Sequence, residues 1–333
     1  MIGENIKRYR ILKGLSLREF GKLVNMSQTA IMKYEKNILI PDGEKIIEFS
    51  QVLNCKVTDL LKDTSKRRNL DLNFRKKEYL SGKKLNVLKE TIYELINNYL
   101  EVLELNNIKP KIINKYRVSN LNEVEDIALK FRLDNGVNDT IPLINLSNII
   151  ENLGISVLII PNVNNNFKGF DGVSDIVEDV PFICIASDIN YYRQRFTLAH
   201  ELGHLILEID EGLDCELICN EFASSLLLPR KTMEEEFGNR RISISKREYE
   251  IIRKEYGVSI KAIIYRLGKC GIISKNYEKL EYINFNKNLI EEEKNLASQN
   301  KELTSKYELL LARLLQQEII TISKYNELMD KWN

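Results

Sequence analysis

The stretch Thr197-Leu-Ala-His-Glu-Leu-Gly-His-Leu-Ile-Leu207 restricts what this chain can become more than any other. His200 and His204 are the only histidines in 333 residues, they stand four apart, and Glu201 directly follows the first. On a helix, positions i and i+4 share a face, while the next residue lies about 100° round the axis. Both imidazoles can therefore reach one metal ion, with Glu201 beside it. Such an H-E-x-x-H helix supplies two zinc ligands and a general base. The apolar flanks Leu198, Leu202, Leu205 and Leu207 predict a buried helix, which a dry metal site requires. The plain alternative is a pair of satisfied core histidines, but so histidine-poor a chain has no compositional reason to place its only pair there.

A catalytic zinc keeps three protein ligands and one open position. With no third histidine, the remaining ligand is a carboxylate or a thiolate. Downstream, Gly212 can break the chain and Asp214 can cap a second helix. Glu208, expected one turn further along the metal helix, would crowd the end of the site. Glu216 and Asn220 share a face of the second helix, so Glu216 is the better ligand and Asn220 steadies it or the loop. Glu221, about 100° from Asn220, is expected in solvent. Cys215 and Cys219 form another stripe close to the expected ion and read as small core residues, a thiolate ligand being the alternative. An oxyanion stabiliser could come from Tyr191, Tyr192, Arg193 or Arg195, and the residues do not choose among them.

Before this helix the period changes to that of strands. Ile155–Ile160 and Pro181–Ala186 are β-branched runs joined by a Gly/Asn/Asp-rich connection. Phe182–Ala186 is the candidate edge strand on which an extended substrate would pair, the alternative being an ordinary buried strand. Helices are predicted from Lys83 to about Asn106, from Asn122 to Phe131, and from Pro142 to Leu153 with Gly154 as the stop. Near the end, Leu289, Leu296, Leu303 and Leu310 recur every seven residues, but Glu293 and Asn300 interrupt the seam. A helix packed on the preceding domain is therefore favoured over a coiled-coil homodimer.

The first 63 residues read as short helices separated by turns. Gly14 ends the first, Ser16-Leu-Arg-Glu19 is a capping box, and Phe20, Leu23 and Val24 face inward on the second. After the turn Asn25-Met-Ser-Gln28, Ser27 caps a third helix, Gln28–Glu35, with Ile31 and Tyr34 inward. Two helices joined so tightly describe a helix-turn-helix that presents Gln28, Thr29, Lys33 and Lys36 outward. The alternative is a small helical domain used only for protein contacts, because the charge here is only modestly basic and that of the following linker reads as solvated in preference to following DNA phosphate. Residues 1–63 carry eleven basic and eight acidic side chains, and residues 64–90 carry nine and three. The run Thr64–Glu78 reads as a basic linker, while the whole chain is nearly neutral at +1. Charges at Glu4, Lys7 and Arg8 stand where a signal peptide needs an apolar core, and five cysteines without a paired framework suit a reducing compartment. A cytoplasmic protein with no membrane association is expected.

Two resemblances follow from these residues. Gly14-Leu-Ser-Leu-Arg-Glu-Phe-Gly21, Ser27-Gln-Thr-Ala-Ile31, Tyr34-Glu-Lys-Asn37 and Pro41-Asp42 resemble Xre/Cro-type repressors, with Gly21 where that family usually has alanine. The resemblance implies that Gln28, Thr29 and Lys33 reach base edges of double-stranded DNA, while Lys36 and Asn37 touch phosphate. Arg193–His204, Glu216–Ala223 and Leu226-Leu-Leu-Pro229, with Phe170-Asp-Gly172 and Val258–Leu267 more loosely, resemble the ImmA/IrrE metallopeptidases. That likeness implies a zinc ion on His200, His204 and Glu216, catalysis by Glu201, and an Xre-type repressor as substrate.

The expected fold is α+β and mostly helical: an all-α helix-turn-helix domain, then a zincin-like metallopeptidase domain with a small β-sheet, and a helical C-terminal extension. The boundaries read as 1–63, a basic linker and connecting helix at 64–110, the peptidase domain at 111–275 and the helical region at 276–333. Two functions fit. The first is a zinc endopeptidase that relieves repression by cutting a repressor; the second is a DNA-binding regulator whose peptidase-like domain senses a metal or a partner without catalysis.

Overall fold

A computed structural model describes residues 1–63, 82–161, 167, 169–288, 302 and 304–330. The basic linker at 64–78 and the leucines at 289, 296 and 303 lie outside these described residues. The chain divides into two compact units, the first Met1–Leu103 with Asn165–Gly169, the second the remainder.

In the first unit, α1 (Ile2–Leu12), α2 (Leu17–Leu23), α3 (Gln28–Glu35), α4 (Gly43–Leu53) and α5 (Val57–Leu61) precede the long α6 (Gly82–Leu105). Ser16 forms the expected capping box with Glu19, and Ser27 Oγ accepts from the Ala30 amide at 3.1 Å. Phe20, Val24, Ile31 and Phe49 are fully buried, with Phe20 and Tyr34 edge-on to Phe49. Leu23, expected inward, is 57% exposed. It ends its helix beside a left-handed Asn25, so the core-facing stripe closes on Val24 instead. A Cβ on Gly21 would lie 2.6 Å from the Met26 carbonyl, so the turn after α2 demands glycine where the repressor family usually has alanine. A buried Arg10–Glu35 pair ties α1 to α3, and Arg8 pairs with Glu94 of α6.

The second unit runs β1 (Tyr116–Val118), α7 (Val124–Asp134), α8 (Leu146–Asn152), β2 (Ser156–Ile160), β3 (Gly172–Val177), β4 (Val180–Ala186), α9 (Tyr191–Ile206), β5 (Leu207–Ile209), α10 (Cys215–Leu227), α11 (Arg230–Phe237), α12 (Lys246–Tyr256), α13 (Ile260–Lys269), α14 (Lys275–Asn288), α15 (Lys306–Gln316) and α16 (Ile322–Asp330). The protein is mostly helical with small sheets, as the sequence predicts. No helix among the described residues is long and apolar enough to cross a membrane.

Among the described residues, five strands form two sheets. β1 pairs parallel with β5, in register Tyr116↔Leu207, which anchors the end of α9. The other sheet has the order β2-β4-β3, with β2 parallel and β3 antiparallel to β4. The β3–β4 hairpin closes through Glu178 (φ 49°) and Asp179 (φ 64°), the two positive dihedrals of a type I′ turn.

This topology overturns one expectation. Phe182–Ala186 is the central strand, hydrogen-bonded on both sides and buried throughout, so it has no edge to offer a substrate. The edges are β2 and β3, and sequence patterning misses β3 because Gly172-Val-Ser-Asp-Ile-Val177 is rich in turn-forming residues. β3 lies against α9 at close range: a Cβ on Gly172 would stand 2.5 Å from Thr197 Cγ2 and 3.0 Å from the Cys184 carbonyl. Gly172→Ala should push β3 off α9 and destabilise the protein by about 1–3 kcal/mol in urea unfolding. Wild-type stability in that variant would show that the approach is not a constraint.

Candidate metal centre and nucleic-acid interface

α9 starts with Asn190 capping the Arg193 amide and is buried over most of its circumference. Its two histidines turn towards α10. Packing of α9 on α10 is close because Gly203 sits where a Cβ would meet Cys219 Sγ and Phe222 at 3.3 Å. α10 begins at Asp214, whose carboxylate accepts from the Glu216 and Leu217 amides. Glu216 thereby stands in the first helical turn, where the backbone dipole favours a negative charge.

Three ligand atoms converge. His200 Nε2 and His204 Nε2 are 3.1 Å apart, His200 Nε2 is 3.4 Å from Glu216 Oε2, and His204 Nε2 is 3.6 Å from Glu216 Oε1. Ligand atoms held about 2.0–2.1 Å from a tetrahedral ion stand about 3.3 Å from one another. The donor set therefore fits one small divalent cation. His200 is also aligned from behind, since its Nδ1 is 3.0 Å from Asn220 Oδ1. That acceptor selects the tautomer with hydrogen on Nδ1 and leaves the Nε2 lone pair towards the ion.

Glu201 is buried, and Ser174 of β3 donates its hydroxyl to Glu201 Oε2 at 2.7 Å. No motif in the sequence marks Ser174; Phe170-Asp-Gly172 just before it is the nearest signal. His204 Nδ1 faces two sulfurs, Cys215 Sγ and Cys219 Sγ, each at 3.5 Å. Burial, followed by the neighbouring Cys215, pushes the Cys219 thiol up from its ordinary range.

Other expectations change. α9 ends at Ile206, so Glu208 sits exposed on β5 rather than on the metal helix. Glu221 is not in solvent: it accepts from Tyr265 at 2.7 Å and pairs with Lys269 at 3.0 Å and Arg266 at 3.5 Å, because α13 covers that side of α10. Of the four oxyanion candidates, the two arginines are engaged elsewhere. Arg195 is 1% exposed, bound to Glu302 at 2.5 Å and to the Leu143 carbonyl, and Arg193 pairs with Asp171 at 2.5 Å. Tyr191 and Tyr192, at the start of α9, meet with their rings tilted at 59°.

In the first unit, Gln28, Thr29, Lys33 and Lys36 are exposed on α3 and just beyond it. Asn37 differs. Its Oδ1 accepts from the Gly3 amide at 2.8 Å and its backbone is left-handed, so this side chain closes the end of α3 against α1.

A compact helical unit with a capped helix-turn-helix, and a second unit in which an H-E-x-x-H helix meets a carboxylate-bearing helix, define a regulator-like module joined to a metallopeptidase-like one. Family comparison agrees: residues 150–268 match the IrrE N-terminal-like domain of a peptidase family, and residues 6–60 match the helix-turn-helix family. The chain thus carries an IrrE-like peptidase domain behind an Xre-type helix-turn-helix domain. No curated protein matches it significantly. Among solved structures, a Mycobacterium tuberculosis transcriptional regulator is similar at 17% identity and a TM-score of 0.33, covering 51% of each chain. This chain spans about half the length of that one.

Because Asn220 holds His200 by its far nitrogen, Asn220→Ala should keep the fold and weaken zinc binding about 10–100-fold in competition with a chelator. An unchanged affinity would show that Asn220 does not align the ligand.

Proposed function

We propose that this protein is a zinc-dependent endopeptidase whose helix-turn-helix domain brings it to DNA or to a DNA-bound protein, and that its substrate is an Xre-type repressor. The convergence of His200, His204 and Glu216 next to a buried Glu201 carries the reading, because two core histidines would need neither the carboxylate nor the base.

Zinc on these donors would act as a Lewis acid, polarising the scissile carbonyl and acidifying water at the open position. The chain's own residues do the rest. Glu201 accepts the proton of the attacking water and passes it to the departing amine. Ser174 holds one carboxylate oxygen and leaves the other for that proton. β3 has no outer strand neighbour among the described residues, and its edge receives an extended peptide by backbone pairing. Such pairing recognises a chain rather than a sequence, so substrate choice rests on delivery. The first unit supplies it: an Xre-type domain that occupies the same operators as a related repressor raises the local concentration of its target. Cleavage would then relieve repression, as the resemblance to ImmA/IrrE implies.

Glu201→Gln should retain zinc and lose cleavage of a co-encoded Xre-type repressor. Ser174→Ala should retain zinc and lower kcat about tenfold or more with little change in KM. Cleavage surviving in Glu201→Gln would remove the assigned base. Persistent inactivity of the zinc-loaded wild type towards such repressors would favour the second reading, a DNA-binding regulator whose peptidase-like domain senses a metal.

For the DNA contacts, Gln28→Ala should cost about 1–3 kcal/mol and relax preference at one base position. Lys36→Ala should weaken all sequences alike and flatten the salt dependence. Equal loss on all sequences in the Gln28 variant would show that Gln28 does not read a base.

A further inference from the structure

We propose that Cys215 Sγ, Cys219 Sγ and His204 Nδ1 form a second cation site, selective for a soft, thiophilic metal ion, which shares the His204 imidazole with the His200/His204/Glu216 centre. The inference rests on the proposed zinc site only in that one imidazole serves both.

The two cysteines lie four apart on α10, one turn from each other on the same face, as Glu216 and Asn220 do on the neighbouring stripe. Both sulfurs stand 3.5 Å from His204 Nδ1, and the three ligand atoms lie within 4.8 Å of one another. An ion bound about 2.3 Å from sulfur and about 2.0–2.1 Å from nitrogen, in tetrahedral geometry, sets nitrogen and sulfur about 3.6 Å apart. The observed spacing fits that edge. A hydrogen on Nδ1 points in one direction, whereas the two sulfurs are equidistant from the nitrogen, which suits a cation lying between all three atoms.

The two centres do not compete for a nitrogen. The zinc centre uses His204 Nε2, which faces His200 and Glu216. Nδ1, across the ring, faces α10 and the sulfurs. His200 and His204 thus differ behind the ring: an amide oxygen faces one Nδ1 and two thiols face the other. Two thiolates and an imidazole are a soft donor set, of the kind that takes cuprous, cadmium or zinc ions rather than magnesium or calcium. Cys219 is fully buried and Cys215 half-buried, so the ion enters past Cys215 and keeps an open coordination position on that side.

Binding involves no redox change. Two thiol protons and the Nδ1 proton pass to water as two metal–sulfur bonds and one metal–nitrogen bond form, and the imidazole becomes a bridge between the ions. Occupation therefore alters the charge on a ligand of the zinc centre. A rise in soft metal would be felt directly at the peptidase site, without a separate sensor domain.

The test is a titration of the metal-free full-length chain with cadmium under a phosphine reductant, following metal stoichiometry and the ultraviolet thiolate-to-cadmium charge-transfer band together. The wild type should bind two equivalents and develop the band. Cys215→Ser should weaken the thiolate equivalent by about tenfold or more. The Cys215→Ser/Cys219→Ala double variant, with circular dichroism as the check on folding, should bind a single equivalent without the band. Glu216→Gln should lose the other equivalent and keep the band. A wild type without the band, or a band that persists unchanged in Cys215→Ser, would overturn the second site. Retention of both equivalents in Glu216→Gln would instead count against the zinc centre, so the two failures are distinguishable.

Discussion

The close packing of α9 on α10 is the contact on which the rest of the second unit depends. Each helix alone carries an incomplete site: two imidazoles on one, a carboxylate and its amide neighbour on the other. Only with Gly203 removing a side chain from the crossing can the backbones approach until Glu216 stands 3.4 Å from His200 and 3.6 Å from His204. The apolar stripe of Leu198, Leu202 and Leu205 against Phe222, Ala223 and Leu226 supplies the burial that holds this arrangement. The asymmetric environments of the two imidazoles come from the same crossing, because α10 presents Asn220 to one and cysteines to the other.

Around that crossing, two buried arginines are paired with carboxylates. Arg266 of α13 reaches Glu125 of α7 at 2.6 Å and also Glu221 of α10, and Arg195 of α9 meets Glu302. Glu302 also accepts from the Ser147 hydroxyl at 3.0 Å, which ties a residue from the last part of the chain to the metal helix and α8. Such pairs contribute little net stability against an apolar replacement, but removing one partner strands a buried charge at a cost of about 3–5 kcal/mol. Their geometry is directional, so they orient helices that apolar contacts alone would leave free to slide.

The helix-turn-helix unit obeys the same logic on a smaller scale. Gly3 permits close approach of α1 to the end of α3, Gly21 permits the tight turn after α2, and the Arg10–Glu35 pair and Asn37 lock α1 to α3. Asn37 has its Oδ1 engaged inside the unit, whereas Gln28, Thr29, Lys33 and Lys36 remain on the surface.

Local chemistry made much of this legible from the residues alone. A histidine pair at helical spacing, serine and aspartate caps, left-handed glycines and β-branched runs act over a few neighbours, so several of the helices, two of the strands and the helical spacing of His200, Glu201 and His204 could be read in order along the chain, with Glu216 the candidate on the next helix. What the chain could not show without folding were relations between segments distant in sequence. Ser174 joins Glu201 across 27 residues, Arg195 joins Glu302 across 107, and Glu221 is buried by α13, because each partner is supplied by an element whose place depends on the whole core. The order β2-β4-β3 is of the same kind: a fully apolar strand and an edge strand differ by who pairs beside them, which is a property of the sheet and not of the strand.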